Sequence, residues 1–336
     1  MAGPAVAARL AIMRVRAAIG APTLPRRAAG YAAAGAMSLY LLVKVVWIAL
    51  EVRHGTADWV LLNAVTVVMA LAGIGLGLAL AQPWGMRLPA WLVVPVVWIS
   101  GGFLVSMLPY LVVSSLLAPG TPEPAGEPGL PAWETVFIGA GFLGMALALV
   151  VGLPLYLRDR WPWAFADRAT DRATDRASGR ASDGAADRAA VGAGAGARTR
   201  WIMVPPAALA VLWTYWAAGG TAGLDPSAPR TEGADARLLL ADSALCAVCG
   251  VWSLRALNGR GGARTPSWLP MALGFVASGS LFAWGAWKLL WLLPPGVYQP
   301  AEYRWLALAE HVVAVGAGLA MLVTLVRSTR PASARS

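Results

Sequence analysis

The stretch WVLLNAVTVVMALAGIGLGLALA, residues 59–81, runs through 23 residues without a charged side chain. An α-helix rises ~1.5 Å per residue, so crossing roughly 30 Å of bilayer hydrocarbon takes about 20 residues. This stretch is therefore long enough and apolar enough to cross a membrane as one helix. Other stretches of the chain are similarly long and apolar.

The composition of the whole chain is that of a membrane protein. Hydrophobic residues make up 58% of the 336 residues, charged residues only 13%, and the mean hydropathy is +0.61. A soluble chain would carry about a quarter charged residues. The predicted fold class is all-α, a polytopic integral membrane helical bundle with about eight transmembrane helices. We place these helices at residues 30–50, 59–81, 90–117, 133–157, 201–219, 238–257, 268–293 and 303–326.

The arginines predict the orientation, because Lys and Arg near helix ends are retained on the cytoplasmic side. With the N-terminus inside, 21 of the 27 cationic residues fall in cytoplasmic segments. Both termini are therefore predicted to be cytoplasmic, in the cytoplasmic (plasma) membrane of a bacterium. The net charge of +10 then reflects orientation and attraction to anionic lipid headgroups. The expected partner is the lipid bilayer, and no nucleic acid is needed to explain the charge.

Two polar segments divide the chain. Residues 161–200 contain the repeat DRATDRATDRAS and decay into Gly and Ala, a composition that cannot bury a core. We interpret them as a cytoplasmic linker between a first half, residues 1–160, and a second half, residues 201–336, each with four helices. The loop APGTPEPAGEPGLPA, residues 118–132, is rich in Pro and Gly and is predicted to be an extended outer connection.

Short motifs recur between helices. Lys44-Val-Val-Trp47 matches Lys288-Leu-Leu-Trp291, and WISGG at residues 98–102 matches WAAGG at residues 216–220. The stretch TYWAAGGTAGL, residues 214–224, resembles small multi-pass bacterial membrane proteins of unknown function whose helices carry His-x-x-Trp-Ala-x-Gly-Gly. Where those proteins have histidine, this chain has Trp213 or a lysine. The Ala, Arg and Gly content is similar to that of actinobacterial proteins. The resemblance implies that the protein is located in a membrane, and it implies no established activity.

Lys44 and Lys288 are the only lysines, and both fall inside predicted spans. An ionised side chain near mid-membrane costs about 2.5–3.5 kcal/mol on insertion scales. Snorkelling to the outer interface would run against the lean of helical side chains toward the helix N-terminus. We therefore favour partners inside the bundle over snorkelling.

Two carboxylates lie at matching depth in the predicted helices. Glu310 is the expected partner of Lys288, and Asp242 is the expected partner of Lys44. These four residues form the candidate polar intramembrane site. Its expected walls are aromatic: Tyr40, Trp47, Trp284 and Trp291. The four residues could form a structural clasp or a functional site. Both interpretations remain open, because intramembrane charges serve either purpose.

Asp242, Cys246 and Cys249 fall at i, i+4 and i+7, on one helical face. This spacing could bind a soft metal or form a redox pair, but two thiols on one membrane helix are more typical of packing. We expect no metal and no cofactor, and we interpret His311 as an interior histidine rather than a ligand.

Catalytic motifs are absent from the sequence: no HExxH, no GxSxG, no phosphate loop and no dinucleotide-binding GxGxxG. Nothing therefore favours an enzyme. The predicted function is that of a non-enzymatic structural or interaction bundle whose protein partner is unknown. The alternative is a transporter or small-molecule-binding membrane protein with its charged site in the outer half of the bundle.

Overall fold

The computed structural model describes residues 23–54, 57–117, 132–160, 185–228, 233–258, 268–293 and 299–329. Within these ranges the regular structure is helical apart from one antiparallel bridge between Leu224 and Glu302. The helices are α1 (Leu24–His54), α2 (Ala57–Ala81), α3 (Ala90–Ser100), α4 (Leu108–Leu117), α5 (Ala132–Arg160), α6 (Ala185–Ala217), α7 (Ala234–Leu257), α8 (Trp268–Leu292) and α9 (Arg304–Thr329). A 3₁₀ turn, Pro83–Arg87, follows α2, and a π-helical segment, Gly101–Val105, joins α3 to α4.

Seven helical segments in the described ranges are long and apolar enough to cross a membrane. They correspond to the predicted spans except the fifth, residues 201–219. That span lies in α6, where prolines, a tyrosine and three tryptophans interrupt the aliphatic residues. Large apolar side chains on the seven segments are exposed, such as Val68 at 66% and Val136 at 64%. Lipid is the solvent that accommodates such a surface. The fold is therefore an all-helical one compatible with a multi-pass membrane protein.

The chain forms two compact units. The first comprises Met1–Val96 and Pro124–Arg160, and the second comprises Val97–Glu123 and Trp161–Ser336. The predicted halves, residues 1–160 and 201–336, differ from these units in the third span, whose later part joins the second unit. The predicted N-terminal segment before residue 23, the outer loop 118–131, most of the linker and the tail after residue 329 lie outside the described residues.

In the first unit α1 packs against both α2 and α5. Small residues allow the helix backbones to approach. A Cβ on Gly77 would lie 2.7 Å from the Ala34 nitrogen, and one on Gly30 would lie 2.6 Å from the Gly77 carbonyl oxygen. Small residues at helix crossings are the means by which membrane helices gain close van der Waals contact. Gly30 and Gly77 therefore serve the close packing of α1 on α2.

One end of the first unit is held by a buried arginine. The Arg26 side chain is 1% exposed, donates to the Leu80 carbonyl at 2.7 Å and forms a 3.1 Å ion pair with Asp159. Its guanidinium also lies 5.0 Å from the centre of the Tyr156 ring, whose hydroxyl donates to the Gly85 carbonyl. These contacts join the start of α1, the end of α2 and the end of α5.

In the second unit α8 contacts α7, α9 and the π-helical segment, and α6 contacts α7 and α9. The π segment comes closest at Gly102, where a Cβ would lie 2.1 Å from the Gly279 carbonyl carbon. Beside this contact the Trp98 indole donates to the Ser278 hydroxyl at 2.9 Å and stacks on Phe282 with a centroid distance of 4.6 Å. The third span is thus fixed to α8 by close backbone contact, a hydrogen bond and a ring stack.

Candidate functional site

The second unit contains a cavity of about 140 Å³ near the end where α6 and α8 finish and α7 and α9 begin. Its polar lining comes from four helices: Trp213, Ser243, Ser280, Trp284, Lys288 and His311. Its apolar lining includes Met107, Leu239, Leu281 and Ala314. A cavity of ~150 Å³ holds a molecule the size of benzene, so this one has room for a small solute.

The cavity has hydrogen-bonding groups that the protein leaves unused. The indole nitrogen of Trp284 is buried and has no hydrogen-bond partner among the described residues. The Ser243 hydroxyl, by contrast, donates to the Leu239 carbonyl of its own helix at 2.9 Å. Leaving a buried polar group unpaired costs about 1–3 kcal/mol. The Trp284 side chain therefore borders the cavity and carries a buried donor that the protein does not pair.

Behind one wall of the cavity lies a group of three buried ionisable residues, Glu302, Glu310 and His311. The Nδ1 atom of His311 is 3.3 Å from Oε1 of Glu310, and its Nε2 atom is 4.0 Å from Oε1 of Glu302. The three residues are 8%, 5% and 1% exposed. Only His311 of this group lines the cavity. An indole, that of Trp213, lies close to the Glu310 carboxylate.

The loop after α6 holds Glu302 in place. Gly223 accepts a hydrogen bond from Tyr303 at 3.0 Å, and Asp225 donates to Ala301 at 2.9 Å, so the loop pairs with the segment before α9. The turn requires glycine at Gly219, where φ is +96°.

The same loop contains TYWAAGGTAGL, which folds back on the end of α6. The Trp216 indole donates to the Ala222 carbonyl at 2.9 Å, and the Ala222 N–H donates to the Tyr215 hydroxyl at 3.1 Å. Farther along, the hydroxyl and N–H of Ser227 both donate to the Asp225 carboxylate, which lowers the pKa of Asp225. The motif therefore forms an ordered cap over this end of the unit.

Lys288 and Glu310, the first predicted pair, lie in the same region of the second unit. Lys288 is close enough to act electrostatically on both Glu310 and His311. Among the described residues, however, no ion pair within 4.0 Å joins Lys288 to Glu310, and the basic side chain that approaches this carboxylate is the His311 imidazole, at 3.3 Å. Lys288 and Glu310 therefore do not form the predicted direct salt bridge. Together with His311 they form a looser group.

Lys44 and Asp242, the second predicted pair, belong to different compact units. In the first unit the Lys44 ammonium lies 5.6 Å from the centre of the Tyr40 ring, one helical turn earlier. Trp47, the other expected wall there, follows on the same helix. In the second unit Asp242 is 5% exposed, and neither of its oxygens has a hydrogen-bond partner among the described residues. The Tyr110 backbone lies near but outside hydrogen-bond geometry. Their pairing stays a prediction.

The remaining predicted residues do not reach the cavity. Trp291 is buried, packs on Trp287 at a centroid distance of 5.4 Å, and does not line the cavity. Cys246 and Cys249 are free thiols. Within the described ranges they do not gather with Asp242 into a three-ligand group, whereas Glu302, Glu310 and His311 do.

Sequence reasoning missed Glu302 and gave His311 no role. Glu302 lies just before a predicted span, where an acidic residue is ordinarily exposed at the interface. The signal that could have found it is the recurrence of acidic residues near the start of α9, at Glu302 and Glu310, followed directly by the only histidine of the second half. Adjacent helical residues point about 100° apart, yet Nδ1 of His311 lies 3.3 Å from the carboxylate of Glu310.

No known protein family, curated protein or solved structure matches this chain.

Proposed function

We propose that this protein binds a small solute, bearing a hydrogen-bond acceptor such as a carboxylate, in the cavity of its second unit. The observation that carries the proposal is the convergence of Lys288, Trp284 and His311 on one cavity between apolar walls. Ligand sites in helical bundles have this character, a mostly apolar pocket with a few convergent polar groups.

The donors in the lining favour an acceptor on the solute. Lys288 supplies an ammonium group, and Trp284 supplies an indole N–H without a protein partner. Neither Glu302 nor Glu310 lines the cavity, so the charge facing it is cationic. The apolar residues Met107, Leu281 and Ala314 would contact a short hydrocarbon portion. A short-chain carboxylate combines these features.

The topology that accompanies this proposal has eight crossings, with α6 as the fifth, and both termini in the cytoplasm. It is supported by the distribution of arginines, which places 21 of 27 cationic residues inside. In that topology the cavity lies in the outer half of a bacterial cytoplasmic membrane, and the cytoplasmic arginines contact anionic lipid headgroups. The likeness of residues 214–224 to small bacterial multi-pass proteins agrees with this address.

The test is equilibrium binding of labelled propionate to the purified full-length protein in detergent, with propionamide as the neutral competitor. Lys288→Met should weaken propionate binding about tenfold or more, because a hydrogen bond to a charged group contributes about 1.5–3 kcal/mol. Lys44→Met removes the other lysine and is the matched control, which should bind as the wild type does. Absence of saturable binding at millimolar propionate, or equal losses in both variants, contradicts the proposal.

A second candidate, a structural or interaction bundle, has its own support in the close packing of the helices. The approach of Gly102 to the Gly279 backbone and of Gly318 to the Ser278 carbonyl leaves no room for even one methyl group. A bundle of this kind would bind no solute, and Lys288→Met would then alter only stability. The same two lysine variants therefore separate the two candidates.

A further inference from the structure

The cluster Glu302, Glu310 and His311 has the composition and spacing of a metal site. Each residue offers one ligand atom, and these atoms all lie within 4.8 Å of one another. Ligands around a tetrahedral Zn²⁺ with bonds of ~2.0–2.2 Å are about 3.3–3.6 Å apart. In the structure Nδ1 of His311 faces Glu310 at 3.3 Å and the opposite nitrogen, Nε2, faces Glu302 at 4.0 Å. Because one ion binds only one of these nitrogens, the side chains would have to rotate so that both carboxylates approach the same nitrogen.

The protein itself leaves this cluster incompletely satisfied. Oε2 of Glu310 and Nε2 of His311 are buried and have no hydrogen-bond partner among the described residues. His311 is 1% exposed and Glu310 is 5% exposed, so the solvent around the protein does not supply hydrogen-bond partners to these atoms. The two carboxylates also repel each other when both are ionised. A divalent cation would remove both penalties at once.

The ligands lie on α9 and on the short segment that leads directly into it. Glu310 and His311 lie on α9, and Glu302 lies in the segment whose backbone is bridged to Leu224. The neighbouring cation Arg304 is already engaged, since its guanidinium donates to the Leu292 carbonyl at 2.6 Å.

We propose that Glu302, Glu310 and His311 bind a divalent first-row transition metal ion of the Zn²⁺ type. One imidazole nitrogen with two carboxylate oxygens suits Zn²⁺, Fe²⁺ or Mn²⁺ better than Ca²⁺ or Mg²⁺, which prefer oxygen ligands alone. Three protein ligands leave a coordination position open, the arrangement of zinc sites that take water or a solute. Of the three ligands, His311 also borders the cavity.

Lys288 opposes the metal electrostatically, because it acts on both Glu310 and His311. With both acids ionised the two carboxylates, the lysine and a divalent ion sum to a single positive charge. An anionic solute in the cavity would neutralise it. The metal proposal nevertheless does not rest on solute binding, and the two respond to Lys288→Met in opposite directions: metal affinity should rise and propionate affinity should fall.

The experiment uses the full-length protein, purified in detergent through an affinity tag without histidine and stripped with a chelator. After equilibration with Zn²⁺ and removal of free ion by gel filtration, the wild type should retain one zinc per chain by elemental analysis. Co²⁺ in its place should give visible absorption bands of a low-coordinate site. Glu302→Gln and His311→Gln should each weaken the affinity by about tenfold or more.

Asp242→Asn is the control, since it alters a buried carboxylate of the same unit that lies outside the cluster. It should retain zinc as the wild type does. A thermal melt of each variant separates loss of ligand from loss of fold. Failure of the folded wild type to retain zinc, or retention by Glu302→Gln equal to the wild type, overturns the proposal. Propionate binding is measured on the stripped protein, so either idea can fail alone.

Discussion

Arg26 and Arg27 are adjacent arginines with opposite surroundings. Arg26 is buried between α1, α2 and α5, where it meets the Leu80 carbonyl and Asp159, and Arg27 is exposed. Both were counted alike as cytoplasmic charges in the prediction of topology. A buried arginine with carbonyl and carboxylate acceptors fixes helix ends in a way that an exposed one does not.

We predict that Arg26→Met destabilises the protein by about 1–3 kcal/mol, because hydrogen bonds from a charged donor contribute on that scale. The loss is moderated because Asp159, at 37% side-chain exposure, can return to water. Thermal unfolding in detergent measures the effect. Arg27→Met removes the same charge from an exposed site and should leave the melting temperature within error. Equal shifts in the two variants would show that charge, not burial, matters.

The candidate site was predictable from the sequence only in part. Lys288 and Glu310 stand out as rare ionisable residues inside apolar spans, and both lie at or beside the cavity. Glu302 does not stand out in the sequence, because its burial depends on the loop after α6, which pairs with the segment before α9. Helical depth can be read from a sequence, whereas the fold of an irregular loop depends on contacts between residues far apart along the chain.

Two helix-end motifs with similar sequences make different contacts. In WISGG, Trp98 and Gly102 both dock onto α8, through the Ser278 hydroxyl and the Gly279 backbone. In WAAGG, Trp216 bonds within its own loop and Gly219 forms the turn that ends α6. Sequence likeness alone therefore did not predict a shared role for these motifs.

Gly102→Ala should destabilise the second unit by about 1–3 kcal/mol or more, the usual cost of forcing extra volume into a packed contact. The added Cβ would lie 2.1 Å from the Gly279 carbonyl carbon, and a backbone cannot move aside as a flexible side chain can. Gly101→Ala is the matched control, because its Cβ meets nothing within 4 Å. Gly102→Ala should lower the melting temperature, whereas Gly101→Ala should raise it, since alanine is otherwise favoured over glycine in a helix.

Gly219→Ala should cost about 1–2 kcal/mol through backbone strain, since L-residues are disfavoured at positive φ. The added Cβ would have no contact closer than 3.6 Å, so crowding is not the cause. The cap that carries Glu302 should loosen, and zinc retention should fall with stability. Gly316→Ala in α9, whose Cβ would also meet open space, serves as the control and should preserve both. Unchanged zinc retention in Gly219→Ala would separate the cap from the proposed metal site.

Most helix positions were predictable because hydrophobic length is a local property. The predicted span 268–293 and α8 (Trp268–Leu292) nearly coincide, and the span 90–117 matches its candidate segment from Ala90 to Leu117. The π-helical break at Gly101–Val105 was not predicted. It depends on the docking of Gly102 against α8, which is a tertiary contact.

At the scale of the whole molecule, the number of crossings fixes the side on which each terminus lies. Seven segments in the described ranges meet the length and hydropathy of a span, and the predicted span in α6 is not among them. If α6 crosses, the total is eight and the two termini share a side. If α6 does not cross, the total is odd, and everything after it changes sides. The cluster of Arg327, Arg330 and Arg335 favours a cytoplasmic tail and hence eight crossings.

Cysteine labelling distinguishes these two topologies in one experiment. In a background with Cys246 and Cys249 replaced by alanine, Ser227→Cys places a thiol in the exposed loop between α6 and α7, and Ser336→Cys places one at the C-terminus. With eight crossings, a membrane-impermeant maleimide should label position 227 in intact spheroplasts and position 336 only after lysis. With seven, the two patterns exchange, because the single missing crossing inverts both positions. Labelling of position 336 in sealed cells would therefore contradict the arginine-based topology and place the cavity on the cytoplasmic side.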